Sequence, residues 1–228
     1  MPRPVIMLDF DDVLVETRAP KLAALRDAFA HDGVAIDDDL LDTCCLGVSI
    51  PAAVRGVYRQ ANVPADETMI ELAALRADRA LAAAAQHGLP LAPGAMDFVL
   101  NASGHVRLAI VTSARRRDVE ALLELAGLRD AFECVLTADD HAGTEPSPDP
   151  YDAALYRLAH GEGIRAGGET AMVASLNATA AARAARLTVV VVGSVSPTLA
   201  FAGDGYLASL QGVTFADAVR LSRRAEAT

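Results

Sequence analysis

Four apolar runs in the second part of the chain constrain its fold most: VRLAIVT (106–112), FECVLT (132–137), TAMVA (170–174) and LTVVVVG (187–193). Between them lie segments with helical spacing, RRRDVEALLELAGL (115–128), DPYDAALYRLAHGEG (149–163) and NATAAARAAR (177–186). Such runs read as strands, and strands alternating with helices predict a parallel sheet covered on both faces. Asp149 and Pro150 suit an N-cap and a first helical position, and Gly127 suits a helix stop. A fifth run, VIML (5–8), has the same character but stands apart from the other four.

The intervening block reads as helical throughout. APKLAALRDAFAHDG (19–33) spaces Leu22, Leu25 and Phe29 on one face and stops at Gly33. IPAAVRGVYRQANVP (50–64) opens on Pro51 and ends before Pro64, and ADETMIELAALRADRALAAAAQHG (65–88) closes at Gly88. IDDDLLDTCCLG (36–47) reads as a short helix or turn. The helices are therefore an insertion into an α/β protein. We expect a core formed by residues 1–16 and 92–228 and a helical cap formed by residues 17–91.

Composition excludes several classes of partner. The chain has 228 residues, 52% of them hydrophobic, and a formal net charge of -10, which disfavours a nucleic-acid surface. No apolar run reaches the ~18 residues that span a bilayer. The N-terminal apolar run is too short for a signal peptide. Cys44, Cys45 and Cys134 suit neither a disulfide framework nor a zinc site. A soluble, cytoplasmic protein, monomer or dimer, is the expectation.

The first strand runs straight into three carboxylates, in VIMLDFDDVLVET (5–17). Like charges so close raise one another's pKa, and one Asp or a Gly would suffice to end a strand. In open parallel sheets ligands sit beyond the carboxyl ends of the strands, which is where Asp9 and Asp11 fall, under the cap. An Asp sheltered there can act as a nucleophile, and a second two residues on can move protons. Crowded carboxylates also attract a hard cation such as Mg²⁺. The plainer alternative is a helix N-cap or an acidic surface turn.

DFDDVLVET resembles the first motif of the haloacid dehalogenase superfamily, commonly Asp-x-Asp-Gly-Thr-Leu followed by a helical cap. The resemblance implies a Rossmann-like core and a small phosphorylated molecule as substrate. It casts Asp9 as nucleophile and Asp11 as acid/base, both contacting Mg²⁺, Asp11 through its main chain. Asp12 stands where the family often has Gly, and Val13 where it often has Thr. LAIVTSA (108–114) is similar to the second motif, which implies phosphate binding by Thr112 and Ser113. The third and fourth motifs fall in LTADDHAGTEPSPDPYDAAL (136–155) and AMVASLNATAAARAARL (171–187), in the order of the capped phosphatase and phosphoglucomutase-like branch.

Two motifs depart from the pattern. Glu145 occupies the place of the lysine that would neighbour the nucleophile, and Val173 and Ala174 occupy the places of the fourth-motif acids. Asp9, Asp11 and Glu145 with Mg²⁺ sum to minus one, where the family set sums to zero. One unit charge at ~4 Å and an effective dielectric of ~20 is worth roughly 4 kcal/mol. Glu145 as a metal ligand, or Arg115, Arg116 and Arg117 as substitute cations, would compensate; a solvated helix start is the plain reading of the arginines. Two functions therefore stand side by side. One is a Mg²⁺-assisted hydrolase of small phosphate esters; the other is a catalytically impaired relative that binds a ligand or partner between cap and core. A carbon–halogen hydrolase is a weaker third.

Other signals carry less. GEGIRA (161–166) fits a loose dinucleotide pattern but follows a helix rather than a strand. The five histidines make no metal-ligand pair at helical spacing. Cys44 and Cys45 read as packing residues.

Overall fold

A computed structural model describes residues 3–30, 32–37, 40, 43–86, 88–140, 149–159, 169–193 and 195–225. Among the described residues, six parallel strands make one sheet in the order β3-β2-β1-β4-β5-β6. They are β1 (Val5–Leu8), β2 (Arg107–Val111), β3 (Cys134–Leu136), β4 (Glu169–Val173), β5 (Thr188–Val192) and β6 (Gly205–Leu207). The isolated N-terminal run is thus a central strand, with Leu8 aligned to Ile110 of β2 and to Met172 of β4.

Period-two alternation sends the strand side chains into two separate apolar layers. Ile6 and Leu8 face one layer, with Leu108, Ile110, Met172 and Val190. Helices α4 (Ala95–Ala102), α5 (Arg116–Leu125) and α9 (Phe215–Ala225) cover it, through residues such as Phe98, Val119, Leu123 and Ala218. Val5 and Met7 face the other layer, closed by α6 (Asp149–Ala159), α7 (Leu176–Ala184) and α8 (Pro197–Ala202). Burial on both faces is why these runs are continuously apolar.

The inserted block has its own apolar cluster. Helices α1 (Arg18–Ala30), α2 (Ile50–Gln60) and α3 (Glu67–Gln86) meet around Leu25, Phe29, Val54, Val57, Tyr58 and Ala77. Phe29 and Tyr58 pack edge to face at 4.9 Å, and the Tyr58 hydroxyl donates to Asp32 at 2.8 Å. Among the described residues no helix is long and apolar enough to cross a membrane.

The chain leaves and re-enters the core through two segments paired with each other. Glu16 N donates to Pro90 O at 3.0 Å, Ala92 N donates to Leu14 O at 2.8 Å, and Val15 bridges Leu91 in antiparallel sense. Among the described residues, four of the named elements were not anticipated from the sequence, α9 near the C-terminal end being one. Helix α4 lies in a stretch where Pro and Gly mask the helical signal, and α8 with β6 are too short for a periodic one.

Candidate active site

Asp9 follows the last residue of β1, and its N–H donates to Met172 O of the neighbouring strand at 2.9 Å. Its side chain is buried, and one carboxylate oxygen accepts from Phe10 N at 2.7 Å. Burial, and next the charge of Asp11, push the Asp9 carboxyl well above the usual carboxylate range. The Phe10 N–H and the charge of Lys21 pull the other way, without prevailing.

Beyond Asp9 the backbone turns sharply. Leu14 N and Val15 N both donate to Phe10 O, and Asp12 N donates to Val15 O at 2.7 Å. Asp12 sits at φ +60°, a left-handed conformation that favours glycine. Its carboxylate accepts from Thr17 N at 2.9 Å and Arg18 N at 2.8 Å, satisfying two backbone donors at the start of α1. The side chain that distinguishes Asp12 from glycine therefore ties the acidic loop to the cap. Burial, and then Asp11, raise its pKa despite those two bonds.

A cleft of about 290 Å³ opens between core and cap beside this loop. Asp11, Ser113, Arg115 and Arg117 line its core side; Val48, Ile50, Pro51, Asp78 and Leu81 line its cap side. Arg115 spans the two, pairing with Asp78 of α3 at 2.6 Å. Asn177 of α7 adds a second bridge, donating to Leu46 O at 2.8 Å.

Thr112 follows β2 and is buried; its N–H donates to Leu136 O at 3.0 Å and its hydroxyl oxygen accepts from Ala114 N at 3.1 Å. Extending the register from Leu8↔Ile110 brings Asp9 level with Val111, one residue short of Thr112. The structure thus gathers Asp9, Asp11, Thr112 and Ser113 at one end of the sheet. Glu145 lies outside the described residues, as does GEGIRA. Arg116 and Arg117 pair with acids of their own: Arg116 with Glu120 and Asp140, Arg117 with Asp118.

The turn after β3 braces this end. The Asp140 carboxylate accepts from Thr137 N and from the Thr137 hydroxyl, each at 2.8 Å, and pairs with Arg116. Burial pushes its carboxyl up, but these bonds outweigh it and hold it below the usual range. A depressed folded-state pKa stabilises above the unfolded value of about 3.9 and ceases to do so as pH falls through the folded one. Asp140→Ala is expected to lower the melting temperature at pH 7 by about 4–8 °C, from a loss of about 2 kcal/mol. The gap from wild type closes as scanning calorimetry is repeated towards pH 2.

Two residues of this site escaped the sequence reading. Thr17 and Lys21 are four apart, hence on one face of the start of α1, and both are buried and line the cleft. The sequence signal is that Lys21 is the only lysine in the chain.

A metal at this strand end would find few donors. Asp9 and Asp11 are available, while the Asp12 carboxylate is turned to the helix start. Val173 and Ala174 at the end of β4 are buried and apolar, and the Ser175 hydroxyl oxygen accepts from Ala178 N at 3.1 Å. Among the described residues no three His, Cys, Asp or Glu side chains form a group suited to a metal. Asp9 and the main chain at Asp11 are the groups at this strand end that would hold a Mg²⁺, which binds through one or two carboxylates and completes its six oxygens with waters and substrate phosphate.

A parallel α/β core with an inserted helical cap, and an acidic strand end beneath it, defines a class of capped hydrolase folds. The chain belongs to the haloacid dehalogenase-like hydrolase family, whose family model matches residues 6–192. It is 29% identical over 197 residues to protein CbbY of Rhodobacter capsulatus, covering 83% of this chain and 85% of that one. It is 28% identical over 155 residues to validoxylamine A 7'-phosphate phosphatase of Streptomyces hygroscopicus subsp. limoneus, covering 68% and 70%. Among solved structures, CbbY from Rhodobacter sphaeroides in complex with xylulose-(1,5)bisphosphate superposes with a TM-score of 0.76 at 25% identity, covering 94% of this chain and 98% of that one.

Proposed function

We propose that this protein hydrolyses a small phosphate ester in the cleft between core and cap. The observation that carries the reading is the buried Asp9 carboxylate at the end of the central strand, with Asp11 two residues on and facing the cleft. The division into core (1–16, 92–228) and cap (17–91) belongs to the same reading, and the paired crossing segments and the separate cap cluster support it.

An Asp9 oxygen attacks phosphorus, the bond from phosphorus to the ester oxygen breaks, and Asp11 gives its proton to the departing oxygen. Water then attacks the aspartyl phosphate and returns a proton to Asp11. The bond from phosphorus to Asp9 breaks, releasing inorganic phosphate. Thr112 and Ser113 flank the phosphoryl group, and the cap excludes bulk water during transfer. No step is assigned to Mg²⁺, which the resemblance implies; Asp9 and the main chain at Asp11 would hold it, and it would neutralise phosphoryl charge there. The leaving group faces Val48, Ile50, Pro51 and Leu81, a largely apolar wall.

A panel of small phosphate monoesters, assayed for phosphate release, tests this. The expected result is turnover of at least one ester, with hydroxylamine-labile phosphate trapped on the peptide containing Asp9. Apolar Val173 and Ala174 favour the second reading, a catalytically silent ligand binder. Tight binding of an ester with no release across the panel would select it.

A further inference from the structure

The cleft contains more negative charge than a phosphate ester can easily meet. Asp11, Asp78, Asp118 and Asp139 line it, and Asp9 and Asp12 lie within two residues of Asp11 in the chain. Its arginines are engaged: Arg115 pairs with Asp78, and Arg117 with Asp118 while largely exposed. Lys21 differs from both. It is 5% exposed, and among the described residues no carboxylate pairs with it. Its ammonium makes one long hydrogen bond, 3.3 Å to Val48 O, although it has three protons to donate. A buried ammonium with protons left to donate has room for a further acceptor.

Thr17, one turn earlier on the same helical face, has a buried hydroxyl with no hydrogen-bond partner among the described residues. Both residues line the cleft, and both are held relative to Asp9 because the Asp12 carboxylate binds the first turn of their helix. The Lys21 charge reaches Asp9 and Asp12 alike. The end of β4 supplies no carboxylate, and among the described residues Lys21 brings a buried positive charge to this face of the site from the cap.

We propose that Lys21 is the phosphoryl-binding cation of this site: its ammonium donates to the non-bridging phosphoryl oxygens beside Asp9, and the Thr17 hydroxyl donates one turn away. The assignment rests on the phosphatase reading above and adds to it a cation carried by the cap rather than by the core. Ammonium and phosphate form short, charge-assisted hydrogen bonds without the fixed planar fork of arginine.

Calorimetry of inorganic phosphate binding to the full chain in EDTA tests it. Wild type is expected to bind, Lys21→Arg to stay within about threefold, and Lys21→Met, which keeps the apolar stem, to bind at least about tenfold more weakly. With an ester from the panel, Lys21→Met is expected to lower kcat/KM by about a hundredfold and Lys21→Arg to recover most of it. Because the chain has one lysine, wild-type protein gives a reading independent of any variant's folding. Saturating phosphate should slow acetylation of Lys21 at least about fivefold, read by peptide mass, while the N-terminal amine labels at an unchanged rate. Wild-type phosphate affinity in Lys21→Met, or acetylation of Lys21 indifferent to phosphate, overturns the assignment even where Asp9-dependent turnover stands. So does phosphate binding that vanishes in EDTA, which would give the role to a divalent cation. A wild type with neither phosphate binding nor Asp9-dependent turnover would remove the phosphatase reading itself.

Discussion

Asp9→Asn is expected to reduce turnover at least about 10⁴-fold and, at the same time, to raise the melting temperature at pH 7. The first effect follows from losing the nucleophile, for which no neighbour substitutes. The second follows from the same burial that shelters it. The Asp9 carboxyl is held well above its ordinary range by burial and then by Asp11, so ionising it costs the folded state more than the unfolded one. Below the unfolded value of about 3.9 both states are protonated and the penalty is absent; it grows as pH rises towards the folded value. Asparagine keeps an oxygen for the Phe10 N–H and carries no charge. A relief of about 1 kcal/mol corresponds to about 2–4 °C for a chain of this size. Paired kinetic and thermal measurements check both halves. Undiminished turnover would take Asp9 out of the chemistry; a lower melting temperature at pH 7 would show that the carboxylate is held by a cation stronger than Lys21.

Gly94→Ala is expected to be the most damaging of the small substitutions. Gly94 precedes α4 at φ +83°, and a Cβ added there would lie 2.3 Å from Leu210 C and from Gln211 N. Both are backbone atoms, so no rotamer change relieves the overlap. The left-handed conformation alone costs about 1–2 kcal/mol for alanine, and displacing the 210–211 backbone adds to it. Leu210 N donates to Pro93 O at 3.1 Å, so that displacement also strains the turn where the chain returns from the cap. A total of about 3 kcal/mol or more, or about 6–12 °C, is expected by thermal melting. Gly33→Ala is the control: φ is +68° but nothing lies within 4 Å of its Cβ, so only the conformational cost is felt.

Which parts of this molecule were legible in the sequence follows from how each feature is encoded. The strands that pair around β1 are buried on both faces, and double burial writes itself as a continuous apolar run. The helices of the cap bury one stripe each, and Leu22, Leu25 and Phe29 declared it. Helix α4 carries the same information but only over eight residues beside Pro and Gly, where breakers dominate. The carboxylates of the first motif were legible because like charges at a strand end oppose local stability and so demand another reason. In sequence Asp12 only stands where a glycine is common; its part in starting α1 is carried by its φ and its hydrogen bonds. Lys21 was invisible for a different reason. A lysine early in an amphipathic helix is ordinarily a solvated residue, and only the tertiary arrangement of cap over core buries this one.

The antiparallel pairing of residues 14–16 with 90–92 has a consequence for how such a protein changes over time. Outgoing and returning chain are stitched to each other before either reaches the helices, so the insert joins the core by chain at one place, with the Arg115–Asp78 and Asn177–Leu46 contacts as side-chain ties. One set of helices can be exchanged for another between those stitches while the strand order and the acidic loop stay intact. What a replacement must bring with it is a first turn that Asp12 can grip and, four residues further on, a positive charge.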